Sequence, residues 1–198
     1  MRASRVVLAL TVVAVLAAAF GTIHLTRPAW YDRLWYPLKY AEIIRGHARN
    51  YRLDPALLAA VIYQESKFRA DARSSRGAMG LMQLLPETAK GIALRTGGGK
   101  FAVADLWDPE INVRYGSWYL RHLLDKYREE ALALAAYNAG QRNVDDWLRR
   151  GVGIQFDETR HFVDRIQELK VIYRRAYRDE LAIDETSARH LTDAEVMS

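Results

Sequence analysis

Glu65, in Ala60-Val61-Ile62-Tyr63-Gln64-Glu65-Ser66-Lys67-Phe68, is the residue best placed for proton chemistry. At helical spacing it shares a face with Leu58, Val61 and Ile62, positions expected to face a core. A carboxylate ending an apolar stripe is expensive unless it is paired or protonated. The last turn of a helix, near the negative end of its dipole, disfavours ionisation further. Both effects raise the pKa, as a general acid working near neutral pH requires. Two plainer alternatives stay open on this helix alone: the side chain reaches solvent, or it pairs with Lys67 or Arg69. Three other segments carry polar groups at turns. Ser74-Ser75-Arg76-Gly77-Ala78-Met79-Gly80-Leu81-Met82-Gln83-Leu84 is a loop with Gln83 near its end, and Ala136-Tyr137-Asn138-Ala139-Gly140 sets a tyrosine and an asparagine before a helix-ending glycine. Glu158-Thr159-Arg160 opens the last helix with a second carboxylate. Asp71 is the acid nearest Glu65 in sequence, in a turn-like context where capping is its expected job.

Other chemistries are excluded. With no cysteine there is no disulfide scaffold, thiolate metal site or cysteine nucleophile. The five histidines, His24, His47, His122, His161 and His190, show no ligand spacing, and no HExxH, GxSxG, GxGxxG or phosphate-loop motif occurs. Gly97-Gly98-Gly99 follows no strand and precedes no Lys-Ser pair, so it reads as a loop. Neither a metal nor a cofactor is expected.

The elements that must position these residues are helices. Asp54-Pro55 and Asp108-Pro109 are N-cap and first-turn pairs. Pro86 starts a further helix, ended by Gly97, and helical patterns also fit about 130–138, 143–150 and 159–178. No window alternates like a strand. The body is therefore expected to be all-α, with seven or so short helices.

Four parts divide the 198 residues. Val6–Leu25 is twenty residues without a formal charge, preceded by Arg2 and Arg5. A helix of that length reaches ~30 Å, enough to cross a bilayer core with the N-terminus inside. The competing possibility is a signal peptide cleaved after small residues such as Ala17-Ala18-Ala19. Residues 1–26 are thus an anchor or signal, 27–37 a connector, 38–178 the helical body, and 179–198 an acidic tail expected to be disordered. Residues 27–178 carry 26 basic against 18 acidic residues, a net +8 within a whole-chain charge of +5. That balance suits a polyanion. Scattered bases and export across a membrane argue against nucleic acid.

Glu65-Ser66-Lys67-Phe68, Gly80-Leu81-Met82-Gln83 and Ala136-Tyr137-Asn138-Ala139-Gly140, in that order, resemble the soluble-type lytic transglycosylase domain. Asp105-Leu106-x-Asp108-Pro109-Glu110, Gly116-x-x-Tyr119-Leu120 and Glu158-Thr159-Arg160 extend the match over about residues 38–173. The resemblance implies a lysozyme-like α-fold with a long cleft. It implies cleavage of the β-1,4 bond between N-acetylmuramic acid and N-acetylglucosamine in peptidoglycan, leaving a 1,6-anhydro end without adding water. Its single catalytic carboxylate maps to Glu65. Ser74, Gln83 and Asn138 map to substrate contacts, Tyr137 to the tyrosine beside the acid, and Glu158 to a polar contact in the cleft. Two departures stand out: Leu85 replaces a common cleft methionine, and Phe162 replaces an aromatic bearing a hydroxyl. The partners implied are peptidoglycan strands and, through the N-terminal helix, the cytoplasmic membrane. A goose-type muramidase that hydrolyses the same bond, or a non-catalytic wall-binding module, are the alternatives.

Overall fold

The structure, a computed structural model, describes residues 2–183, the side chains of 2–9, 19 and 23–25 excepted. The chain forms two compact units, Met1–Pro37 and Leu38–Ser198. In the first, α1 spans Arg2–Thr26 and α2 spans Ala29–Trp35. The stretch expected as a plain connector therefore holds a helix of its own. Pro28 stands at its N-cap and Pro37 follows its end, both positions where a missing N–H costs nothing. Among the described residues no helix is long and apolar enough to cross a membrane.

The second unit is all-α. Its helices are α3 (Ala41–Asn50), α4 (Pro55–Ser66), α5 (Pro86–Thr96), α6 (Pro109–Tyr127), α7 (Glu130–Ala139), α8 (Gln141–Arg149) and α9 (Asp157–Ala176), with a 3-10 turn at Val103–Trp107. The Asp-Pro starts form as the sequence dictates. Asp54 accepts from the Ala56 N–H at 2.9 Å and Asp108 from the Ile111 N–H at 3.0 Å. Helix α4 is apolar all round, and Ala56 to Ile62 are buried without a break. Such a helix belongs inside the bundle. It packs against α3 and α9, while α6 gathers α3, α5, α7 and the 3-10 turn. Asp54 also receives Arg174 and lies 3.7 Å from Lys170, tying the start of α4 to α9.

A smaller apolar cluster joins Met79, Leu84, Ala89, Ile92, Ala93, Leu106 and Tyr115. It seats the loop after α4 and helix α5 on α6. The body also continues past residue 178. Leu181 is 5% exposed, its N–H bonds the Tyr177 carbonyl, and Arg45 holds the Glu180 carbonyl at 2.9 Å. The rest of the acidic tail lies outside the described residues.

Candidate active site

The floor of the site is the C-terminal end of α4. Glu65 sits one residue before its last and lines a cleft of about 610 Å³. Ser74, Gln83, Tyr137, Asn138 and Glu158 line the same cleft, so all six expected site residues converge on one space. Burial pushes the Glu65 carboxyl up to about 8, with Lys67 pulling weakly the other way. Glu65 is half-buried, and pairing with Lys67 or Arg69 is not realised. The Lys67 ammonium lies 4.1 Å over the Tyr63 ring, and Arg69 donates to the Ser66 carbonyl. The Glu65 carboxyl accepts no hydrogen bond among the described residues and keeps both oxygens for a ligand.

The wall facing Glu65 is the loop 74–85, and its shape is set from α6. Asn112 is fully buried, and its amide is spent entirely on this loop and the 3-10 turn. Nδ2 donates to the carbonyls of Met79 at 2.9 Å and Leu106 at 2.8 Å, and Oδ1 accepts from the Met82 N–H at 2.8 Å. Gly80 has φ +77, and a Cβ there would fall 2.2 Å from Asn112 Nδ2 and 2.4 Å from the Leu106 carbonyl. Gly116 gives the same loop its second foothold: a Cβ would fall 2.3 Å from Met82 Sδ. Asn112 was not legible as a site residue. Its only signal was a polar side chain at a core position between two motif halves.

Each polar residue of the wall spends part of its capacity on the fold. Gln83 donates from Nε2 to the carbonyls of Ala72 at 2.9 Å and Gly80 at 2.8 Å, leaving Oε1 as an acceptor. Ser74 accepts at Oγ from the Ala78 N–H at 3.0 Å, leaving its own proton to give. Asn138 accepts from the Thr159 hydroxyl at 2.8 Å, which ties the end of α7 to the start of α9 and leaves Nδ2 as donor. Glu158 is exposed in the first turn of α9, where the helix dipole favours its charge.

Tyr137, mapped to the tyrosine beside the acid, spends its hydroxyl on the fold, donating to the Met82 carbonyl at 2.7 Å. The loop leaves that carbonyl without another partner, and a buried acceptor must be satisfied. Burial, then the nearby Glu65 and Tyr119, hold the phenol well above its usual range, so it remains a donor. Tyr119 of α6 packs on it with ring centroids 5.5 Å apart. Leu85 is exposed at the rim of the cleft, whereas Phe162 is buried in α9 beside an adjoining hollow that shares Asn138 and Glu158. Arg76 and Thr88 also line the cleft, and no motif announced them.

One carboxyl, buried but uncompensated, thus faces donors and acceptors that the fold has already oriented. That arrangement can give a proton to a bound group and take one back. A model of the transglycosylase SLT domain matches residues 42–156. The soluble lytic murein transglycosylase of Escherichia coli K12 is 29% identical over 151 residues, 70% of this chain and 23% of that protein. The membrane-bound lytic murein transglycosylase F of Pseudomonas fluorescens Pf-5 is 36% identical over 115 residues, 54% of this chain and 22% of that one. An inactive glutamate-to-glutamine mutant of lytic transglycosylase Slt from Pseudomonas aeruginosa is a structural neighbour. It has a TM-score of 0.67 at 34% identity, over 72% of this chain and 25% of that chain. The chain thus spans about a quarter of the length of these relatives. With its lysozyme-like bundle and the matched stretch running from α3 to the threshold of α9, the chain belongs to the transglycosylase SLT domain family.

Proposed function

We propose that this protein is a peptidoglycan lytic transglycosylase. It cleaves the β-1,4 bond between N-acetylmuramic acid and N-acetylglucosamine without adding water. The observation that carries this function is Glu65, a cleft carboxyl held protonated at neutral pH by burial alone. In the first step Glu65 gives its proton to the glycosidic oxygen as the bond from C1 to that oxygen breaks. The acetamido oxygen of the muramoyl residue closes on C1, a substrate-assisted route that needs no second carboxylate. In the second step the Glu65 carboxylate takes the proton of the C6 hydroxyl while O6 attacks C1. The acetamido group is released, a 1,6-anhydro ring remains, and Glu65 is protonated again. The acceptor on Gln83 and the donors on Ser74 and Asn138 hold the sugars around this centre. The inactivity of a glutamate-to-glutamine mutant of the Pseudomonas aeruginosa relative is in keeping with an essential carboxyl.

Glu158 is the second carboxylate on the cleft, and it is exposed. If it activated a water, the enzyme would be a muramidase and its products would carry reducing ends. Mass analysis of muropeptides released from purified sacculi separates the two: anhydro ends are expected, and reducing ends alone would refute the lyase. Anchoring is the further part of the proposal. The uncharged run Val6–Leu25 behind Arg2 and Arg5 holds the protein to the cytoplasmic membrane with the catalytic unit outside. A membrane-bound relative is consistent with that placement.

A further inference from the structure

Helix α2 is inside out for a helix in water. Around its axis Trp30, Tyr31, Leu34 and Trp35 fall within an arc of about 140°, with Asp32 and Arg33 outside it. The apolar arc is the exposed one: Trp30, Leu34 and Trp35 are 54%, 71% and 62% exposed. The acid is the hidden one, since Asp32 is fully buried with Arg27 Nε 3.9 Å from its carboxylate. A helix facing water carries the opposite pattern, with charge outward and large apolar groups inward. The exposed rings also hold to one another. Tyr31 meets Trp30 edge-on with centroids 6.0 Å apart and Trp35 at 6.4 Å, so they form one continuous patch. A patch of this kind marks a surface that something covers.

The chain just before α2 says what covers it. Leu10, Val15 and Leu16 point to different sides of α1 and are each more than half exposed. A helix apolar on every side, outside a protein core, is matched to lipid. The polar groups at its end are satisfied within the helix. The Thr22 and Thr26 hydroxyls donate to the carbonyls of Ala18 at 2.9 Å and Thr22 at 2.8 Å, as donors that leave water must. Arg27, with φ +41, and the extended Pro28 then end α1, so α2 starts on a new axis where the apolar run stops. Trp and Tyr concentrate at that depth of a bilayer, with their rings among the headgroups. We propose that α2 lies flat in the outer headgroup layer of the cytoplasmic membrane, held there by Trp30, Leu34 and Trp35. This rests on the proposed anchoring through α1. Fully extended, residues 27–37 would reach ~36 Å. A helix lying in the plane adds only its own diameter of ~10 Å. The unit that begins at Leu38 therefore starts at the bilayer surface, not at the end of a tether.

The chain has no cysteine, so one introduced cysteine carries a polarity-sensitive fluorophore to a single place. Full-length Leu16→Cys, Leu34→Cys and Leu94→Cys proteins are labelled and reconstituted in phosphatidylethanolamine–phosphatidylglycerol vesicles. The lipids carry a nitroxide either near the headgroup or at the far end of the acyl chain. Leu94, 87% exposed on α5, is the water-facing reference. The Leu34 label should be blue-shifted and quenched severalfold more by the shallow nitroxide than by the deep one. The Leu16 label should show the reverse, and the Leu94 label should respond to neither. Adding Trp30→Ser and Trp35→Ser to Leu34→Cys should return its emission to that of the Leu94 label. A Leu34 label that matches Leu94 while Leu16 is quenched would overturn the interfacial helix, leave the anchor standing and assign the patch to a protein partner. Emission untouched by the two tryptophan substitutions would also overturn it, since the aromatic face would not be what holds α2. A Leu16 label that neither nitroxide quenches would instead overturn the anchoring, and the proposal with it.

Discussion

Glu65 behaves as a buried acid whose environment offers it no partner, and its titration has consequences for both stability and rate. Its pKa is raised from 4.5 to about 8 in the folded protein, so between these values the folded state binds more protons than the unfolded one. Stability from this group is complete below pH 4.5 and falls as pH rises to about 8. The slope is at most ~1.4 kcal/mol per pH unit. Glu65→Gln should remove the slope, so the variant should match wild type in urea denaturation at pH 4 and exceed it by a few kcal/mol at pH 9. Equal midpoints at both pH values would mean that Glu65 is solvated. In kcat/KM the protonated form is required first, so activity should fall above about pH 8 through a single group. Tyr137 shows where a residue's type was informative but its bond was not. The sequence marks a tyrosine near the acid, yet its hydroxyl goes to the Met82 carbonyl, on a loop 55 residues earlier. Tyr137→Phe should therefore cost about 1–3 kcal/mol by orphaning that carbonyl. It should also lower kcat more than sacculus binding, since the loop carrying Gln83 loosens. Unchanged stability and turnover would leave Tyr137 as packing only.

At the scale of elements, the starts of α4 and α6 were legible because Asp-Pro pairs act within one turn of themselves. The packing of the loop 74–85 was not, because it depends on Asn112, 30 residues beyond Met82 in the chain. Local propensity contains no term for such a contact. The glycines of Gly80-Leu81-Met82-Gln83 and Gly116-x-x-Tyr119 were visible as motif letters only. The structure gives their reason: Gly80 admits Asn112, and Gly116 admits Met82. Gly80→Ala should be among the most damaging single changes, costing more than about 3 kcal/mol, since the new Cβ meets a fully buried amide and a backbone carbonyl in a disfavoured conformation. Chemical denaturation measures it directly, and a loss below 1 kcal/mol would show that the loop can shift off α6. The short helix α2 escaped sequence reading because two prolines and four aromatics in 27–37 looked like a connector.

For the whole molecule, the all-α bundle and the convergence of six site residues on one cleft followed from ordered motifs spread across the chain. The net +8 of residues 27–178 should make sacculus binding partly electrostatic. Co-sedimentation should weaken between low and high salt, and indifference to salt would assign binding to the cleft alone. Catalysis is the property that these parts are proposed to serve. The most direct test is the release of anhydro-muropeptides from purified sacculi by wild-type and Glu65→Gln protein, followed by mass spectrometry. A group acting as acid and then base should be worth about 10⁴-fold or more, so the folded, sacculus-binding variant should release essentially none, while Asp71→Asn stays active. Near-native release by Glu65→Gln would contradict the single-carboxyl mechanism outright.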